Sequence, residues 1–307
     1  MISIPKPLFL FTIFALLLTL IIPATSMAEV RVAATVGDLA AMAREVGGSD
    51  VKVDLLAKPT EDPHFVSPKP SYVQRLSRAD VLVYVGLDLE IGWLPTLLTG
   101  SRNAKLQAGQ PGNFNASTHV QIRDVPSGRV DRSMGDVHPG GNPHFTTDPR
   151  QMARIAIAFG KTLAKLDPKN ADAYTERARQ FARSAIRAAQ EWEPKFEALP
   201  KQNRKFVSYH ASWSYVANWL SLEDVMQIEP KPGMAPNPRH VATVLEAIKA
   251  QNIKVIAQFD YDSRATTNQM AQKSGAKLVV LDAQSRENQT YAEHINQFAK
   301  TLYEAMK

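Results

Sequence analysis

The chain has 307 residues, 44% of them hydrophobic, with a formal charge of +6 and no cysteine. That is enough for a well-buried core in one large domain or two ordinary ones, and it excludes disulfides, thiolate metal sites, cysteine nucleophiles and a cysteine-borne lipid anchor. Lys and Arg are mixed with acids along the whole chain, without a base-stacking aromatic patch or zinc-finger spacing, so the basic balance (pI about 9.4) is a solvated surface and not a nucleic-acid footprint.

Residues 1–28 read as a secretory signal peptide. Lys6 precedes an apolar run over 8–22, Pro23 ends it, and the small-residue stretch Ala24-Thr25-Ser26-Met27-Ala28 predicts cleavage after Ala28. The run falls short of the about 20 residues that a bilayer needs. The mature chain is therefore expected to carry no membrane span and to be free in a bacterial periplasm, as a monomer.

Strand and helix then alternate. Residues 30–35 predict a strand and 38–46 a helix stopped by Gly47-Gly48; 51–56 predict a second strand that runs into the loop holding His64. A short helix over 71–79, with Ser71 as cap, leads to a near-continuous apolar strand over 80–85, of the kind buried on both faces of a parallel sheet. Gly, Pro, Asn and Ser cluster over 109–142, which predicts a long surface loop with one strand at 118–123. Asp148-Pro149 is an N-cap followed by proline at the first helical position, opening a helix to about 166.

A second helix, over 170–199, repeats Tyr174, Ala178, Phe181, Ala185, Ala189, Trp192 and Phe196 at three or four residues, one apolar stripe, with a kink expected at Pro194. After Pro200 the alternation resumes: strands over 204–209, 225–228, 253–258 and 277–281, and helices over 212–220, 237–251, 263–274 and 290–306. The pattern predicts an α/β protein of two parallel-sheet lobes joined by a long rigid helix. The expected boundaries are 29–168 for the N-terminal lobe, 169–200 for the linking helix and 201–307 for the C-terminal lobe.

Four residues carry the chemistry. His64, His210 and Asp282 each follow a predicted strand, and His144 sits just before a helix start. In open parallel sheets ligands bind beyond the carboxyl ends of the strands, so the four can converge although none neighbours another in sequence. Three imidazoles and one carboxylate suit a divalent transition metal, and on donor type zinc is favoured over manganese, which prefers more oxygen. A lone histidine after a strand is more often a structural hydrogen-bonder, and shared placement is what groups these. His138, six residues before His144 in a Gly/Pro loop, is an auxiliary candidate, to be weighed against an ordinary exposed loop histidine. Glu61 and Asp62 could supply an alternative oxygen or belong to a solvated turn. His119, His240 and His294 lack the placement and are expected to be surface or packing residues. The sequence has no H-E-x-x-H, G-x-S-x-G, Walker or G-x-G-x-x-G pattern. Four protein ligands would fill a tetrahedral ion, which suits holding and handing over better than catalysis.

Several segments resemble the cluster A-I solute-binding proteins of bacterial ABC transporters, the family that carries zinc or manganese. The stretch Asp62-Pro63-His64-Phe65-Val66-Ser67-Pro68-Lys69-Pro70-Ser71 is similar to the family's first histidine motif, and Gly86-Leu87-Asp88-Leu89-Glu90-Ile91-Gly92-Trp93 continues the likeness. Asn142-Pro143-His144-Phe145 with Asp148-Pro149, Tyr209-His210-Ala211-Ser212-Trp213, and Leu281-Asp282 resemble the second, third and last motifs. The resemblance covers nearly the whole mature chain. It implies two lobes around a long helix, Zn2+ captured in the cleft between them, and delivery to a membrane permease driven by a separate ATPase subunit. His210, where manganese-type members tend to have a carboxylate, again implies zinc. Manganese or iron on the same fold, and a secreted zinc hydrolase, are the alternatives. Two departures stand out: only His138 occupies the region where many zinc members carry a histidine-rich loop, and Gln258-Phe259-Asp260-Tyr261-Asp262 stands where the family often has an acid just after a strand.

Overall fold

The computed structural model describes residues 29–131 and 134–307; the expected signal peptide lies outside the described residues. The first half runs β1 (Val30–Ala34), α1 (Gly37–Gly47), β2 (Val51–Leu55), α2 (Pro70–Arg78), β3 (Val81–Tyr84), α3 (Leu94–Ser101) and β4 (Asn113–Asn115). Helices α4 (Pro149–Leu166) and α5 (Ala171–Glu197) follow. The second half runs β5 (Lys205–Ser208), α6 (Ser214–Trp219), β6 (Glu223–Gln227), α7 (Pro238–Ala250), β7 (Val255–Phe259), α8 (Arg264–Ser274), β8 (Lys277–Leu281) and α9 (Tyr291–Met306). Among the described residues no helix is long and apolar enough to cross a membrane.

Each half forms one four-stranded sheet, ordered β2-β1-β3-β4 and β6-β5-β7-β8. Every strand pair is parallel. Chain order reverses around β1 and again around β5, and that switch point is where the carboxyl ends of parallel strands leave a crevice. The central strands are buried on both faces because helices cover both, as the apolar runs in β3 and β7 require.

Helix α5 holds the halves together. Its 27 residues span about 40 Å, and the stripe from Tyr174 to Phe196 is buried throughout. At one end Arg177 donates to the Val46 and Gly47 carbonyls and pairs with Asp50. At the other, Trp192 Nε1 donates to Asn296 Oδ1 on α9. One continuous apolar cluster includes β1, β3, α4, α5, α6, β7, β8 and α9. Polar latches add to it: Ser285 N and Oγ both donate to Asp38 Oδ1 at 2.8 Å, and Tyr291 Oη donates to the Thr146 carbonyl. Gly37 is required there, since a Cβ would lie 2.4 Å from the Ser285 carbonyl oxygen.

Several local expectations differ from the structure. The strand expected at 118–123 is absent; a 3₁₀ turn occupies Ala116–His119, and the short polar strand β4 just before it pairs with β3 instead. Helix α3, begun at Leu94-Pro95, was not anticipated. Ser71 lies inside the first turn of α2, which starts at Pro70 with Lys69 as N-cap. Asp148 does cap α4, accepting from Arg150 N, and Asn237 caps α7 by accepting from His240 N.

Candidate metal centre

Two of the three central histidines are set by the same local device. In Asp62-Pro63-His64 the Asp62 Oδ1 accepts from His64 N at 3.0 Å and from its Nδ1 at 2.7 Å. In Asn142-Pro143-His144 the Asn142 Oδ1 accepts from His144 N at 3.0 Å and from its Nδ1 at 2.8 Å. An Asx side chain turning back on the backbone two residues later is favoured when proline restricts the residue between. Here the turn also fixes the imidazole. Each loop is anchored further: Trp93 Nε1 donates to the Pro63 carbonyl, Asn142 Nδ2 donates to Asp124 Oδ2 and the Ala211 carbonyl, and Tyr215 Oη donates to the Asn142 carbonyl.

His210 follows β5 directly. Its backbone carbonyl accepts from Ser208 Oγ, and its Nδ1 lies 2.7 Å from Glu229 Oε2 just beyond β6. Glu229 was missed in the sequence. It is 19 residues from His210, and no local pattern joins them; only the pairing of β5 with β6 does.

All three Nδ1 atoms therefore face an oxygen acceptor, which fixes the tautomer with the proton on Nδ1 and leaves Nε2 as the lone-pair donor. The three rings form a near-equilateral triangle, with centroids 5.2, 5.3 and 5.4 Å apart. One ring nitrogen from each lies within 4.8 Å of the others. His144 Nε2 is buried without a hydrogen-bond partner. Burial, and then the repulsion that a proton here would meet from the neighbouring imidazoles of His64, His210 and His138, holds His144 well below the usual imidazole pKa. A neutral buried imidazole whose lone pair meets no donor is set up for a cation. At Asp62, burial pushes the carboxyl up, but the hydrogen bonds and charge of His64, with the charge of His210, outweigh it and hold the group below its ordinary value.

Asp282 is not brought into this group. It directly follows β8, as expected, but Arg286 one turn away grips it, Nη2 to Oδ1 at 2.5 Å and Nε to Oδ2 at 3.3 Å, and also holds Asp260. Asp282, expected to supply an oxygen, thus lies outside the histidine trio here and has Arg286 as its partner, in a pair that is largely exposed. Glu61 Oε2 accepts from Lys58 N within the turn, and Asp62 orients His64. His119 stacks on Phe114, His240 Nε2 pairs with the Gln227 carbonyl, and His294 is buried beside Asp38; none belongs to the trio.

His138 stands at the rim. Its Nε2 lies 3.3 Å from His64 Nε2, and burial, with the charges of His64 and His210, lowers its pKa to about 4. A groove of about 270 Å³ leads past Asp136, His138 and Pro232 to His144 and His210.

Two parallel-sheet lobes on a shared long helix, with imidazoles from both halves converging at the strand ends, define a metal-binding solute-binding protein. The chain belongs to the ZnuA family, the periplasmic component A of the zinc-uptake complex, whose model matches residues 32–305. These are metal-binding proteins of ABC importers. The fold is similar to a crystal structure of ZnuA, with a TM-score of 0.76 at 23% identity, covering 91% of this chain and all of that one. In sequence the chain is similar to the manganese ABC transporter substrate-binding lipoprotein PsaA of Streptococcus pneumoniae, 22% identical over 75% of this chain and 71% of that protein. It is likewise similar to the iron-binding protein YfeA of Yersinia pestis, 22% identical over 91% and 87%.

Proposed function

We propose that this protein captures Zn2+ on His64, His144 and His210 and delivers it to the permease of an ABC importer, catalysing nothing itself. The observation that carries this is the set of Nδ1 contacts to Asp62, Asn142 and Glu229, which leaves the three Nε2 atoms turned toward one another. Imidazole suits zinc, whereas manganese favours carboxylate, carbonyl and water. Asp62 and Glu229 place two negative charges one imidazole away from the ion, offsetting its charge without occupying its coordination sphere. The protein works in the periplasm as a monomer, released by cleavage after Ala28, and partners a membrane permease with its ATPase.

Manganese or iron is the second reading, because PsaA and YfeA carry those metals in their names. A competition titration decides between the two. Zinc should displace manganese and iron(II) from the metal-loaded protein at one ion per chain. Retention of manganese against equimolar zinc would overturn the zinc assignment.

A further inference from the structure

Three imidazoles leave a tetrahedral ion one position short. The nearby carboxylates have other partners: Asp282 pairs with Arg286, Asp62 and Glu229 are engaged on Nδ1 atoms, and Asp262 Oδ2 accepts from Phe259 N. Resting on the zinc-carrying function above, we infer that His138 Nε2 is the fourth ligand, so that the ion is held by four imidazoles and no carboxylate.

The geometry comes from the 3.3 Å between His138 Nε2 and His64 Nε2. Zinc–nitrogen bonds of about 2.0–2.1 Å at tetrahedral angles place ligand nitrogens roughly 3.3–3.4 Å apart. Two imidazoles sharing one zinc thus stand at the spacing these two already have. The tautomers agree. His64 gives its N–H to Asp62, and the His138 ring gives a hydrogen bond to the Leu87 carbonyl. With those protons engaged, two lone pairs face each other, an arrangement that a cation between them relieves.

The loop bearing His138 is built to be held and adjusted. Asp136 N donates to the Pro232 carbonyl of the second half, while Leu87 anchors the ring on the first. Leu87 itself sits at φ 52°, in the tight turn after Gly86. Gly135 and Gly141 have φ of 78° and 108°, conformations that let the short loop cross the mouth of the site. A Cβ at Gly135 would lie 2.2 Å from the Pro232 carbonyl oxygen. The His138 ring centroid stands 6.3 Å from that of His144, against 5.2 Å for His64 and His144, so sharing the ion requires this loop to move inward. Four neutral nitrogens make the site more selective against manganese than a three-nitrogen, one-oxygen set, because oxygen donors are what manganese prefers.

The test is zinc X-ray absorption spectroscopy on the full mature chain, wild type beside His138→Ala and His138→Gln, with zinc and manganese titrations of the same samples. Four imidazoles are expected on the wild-type ion, and three with one oxygen donor in both variants. Zinc affinity should fall by at least the roughly 10–100-fold that loss of an outer-shell partner costs, narrowing the preference for zinc over manganese. Three imidazoles in all three proteins, with one zinc per chain and equal affinity, would overturn the role of His138 and leave the zinc function standing. A wild-type protein that takes up no zinc overturns both.

Discussion

Glu229 gives the sharpest test of how the site is oriented. Its Oε2 accepts from His210 Nδ1 at 2.7 Å and from Gly233 N at 3.0 Å. A hydrogen bond to a charged group is worth about 1.5–3 kcal/mol, and each 1.4 kcal/mol is about tenfold in affinity. Glu229→Ala should therefore weaken zinc binding about 10–100-fold, the range outer-shell partners of metal-bound histidines command. Glu229→Gln keeps the volume and an acceptor oxygen but removes the charge, so it should fall nearer the lower end. Competition against a chelating dye reads both, and thermal unfolding without metal checks the fold, where the alanine variant should lose about 1 kcal/mol with the Gly233 bond. Both variants binding zinc within twofold of wild type would refute the claim that Glu229 positions His210 for a metal.

Other outcomes follow from the same geometry. His210→Ala should weaken zinc binding by orders of magnitude while circular dichroism and the metal-free melt stay near wild type; unchanged calorimetric affinity would remove His210 from the ligand set. Zinc at about 1,000 times its Kd should stabilise the protein by about 4 kcal/mol, raising Tm, and a chelator should reverse the rise; a melt indifferent to zinc contradicts the site. Asp224 gives a pH test away from the metal. Burial pushes its carboxyl up to about 6, against hydrogen bonds from Ser208 and Gln227. A carboxyl raised in the folded state binds its proton more tightly there than in the unfolded chain. Its destabilising effect is therefore present above about 6 and is relieved as pH falls toward the ordinary value of 3.8. At about 1.4 kcal/mol per pH unit the difference reaches up to about 3 kcal/mol. Asp224→Asn should be more stable than wild type at pH 8, with the advantage gone near pH 4, and an advantage independent of pH rules this out.

Much of the fold was legible because its signals are local and strong. The apolar stripe of α5 repeats seven times along one face, and the strand in the middle of each sheet is apolar on both faces. The caps Asp148 and Asn237 announce their helices. What escaped has no such signal: β4 is three polar or aromatic residues whose strand character comes only from pairing with β3, and α3 opens on Leu94-Pro95 after a loop that reads as a turn. At the site, the Asx-Pro-His pattern occurs twice in the sequence and sets both imidazoles, but the sequence reading grouped His64 and His144 by their placement at a strand end and a helix start. Asp282 has a neighbour that the sequence reading did not take into account. Its position at the end of β8 suits a ligand, but Arg286 four residues on is close enough to take both oxygens. Glu229 could not be read at all, since its tie to His210 exists only across two strands.

The central claim is that three imidazoles, each fixed through Nδ1, converge on one transported ion. Crystals of the zinc-loaded protein, measured across the zinc absorption edge, test it most directly. A single anomalous peak within about 2.0–2.1 Å of Nε2 of His64, His144 and His210 is the expected result. A peak elsewhere, or zinc held through the Asp282 carboxylate with any of those imidazoles turned away, would contradict it.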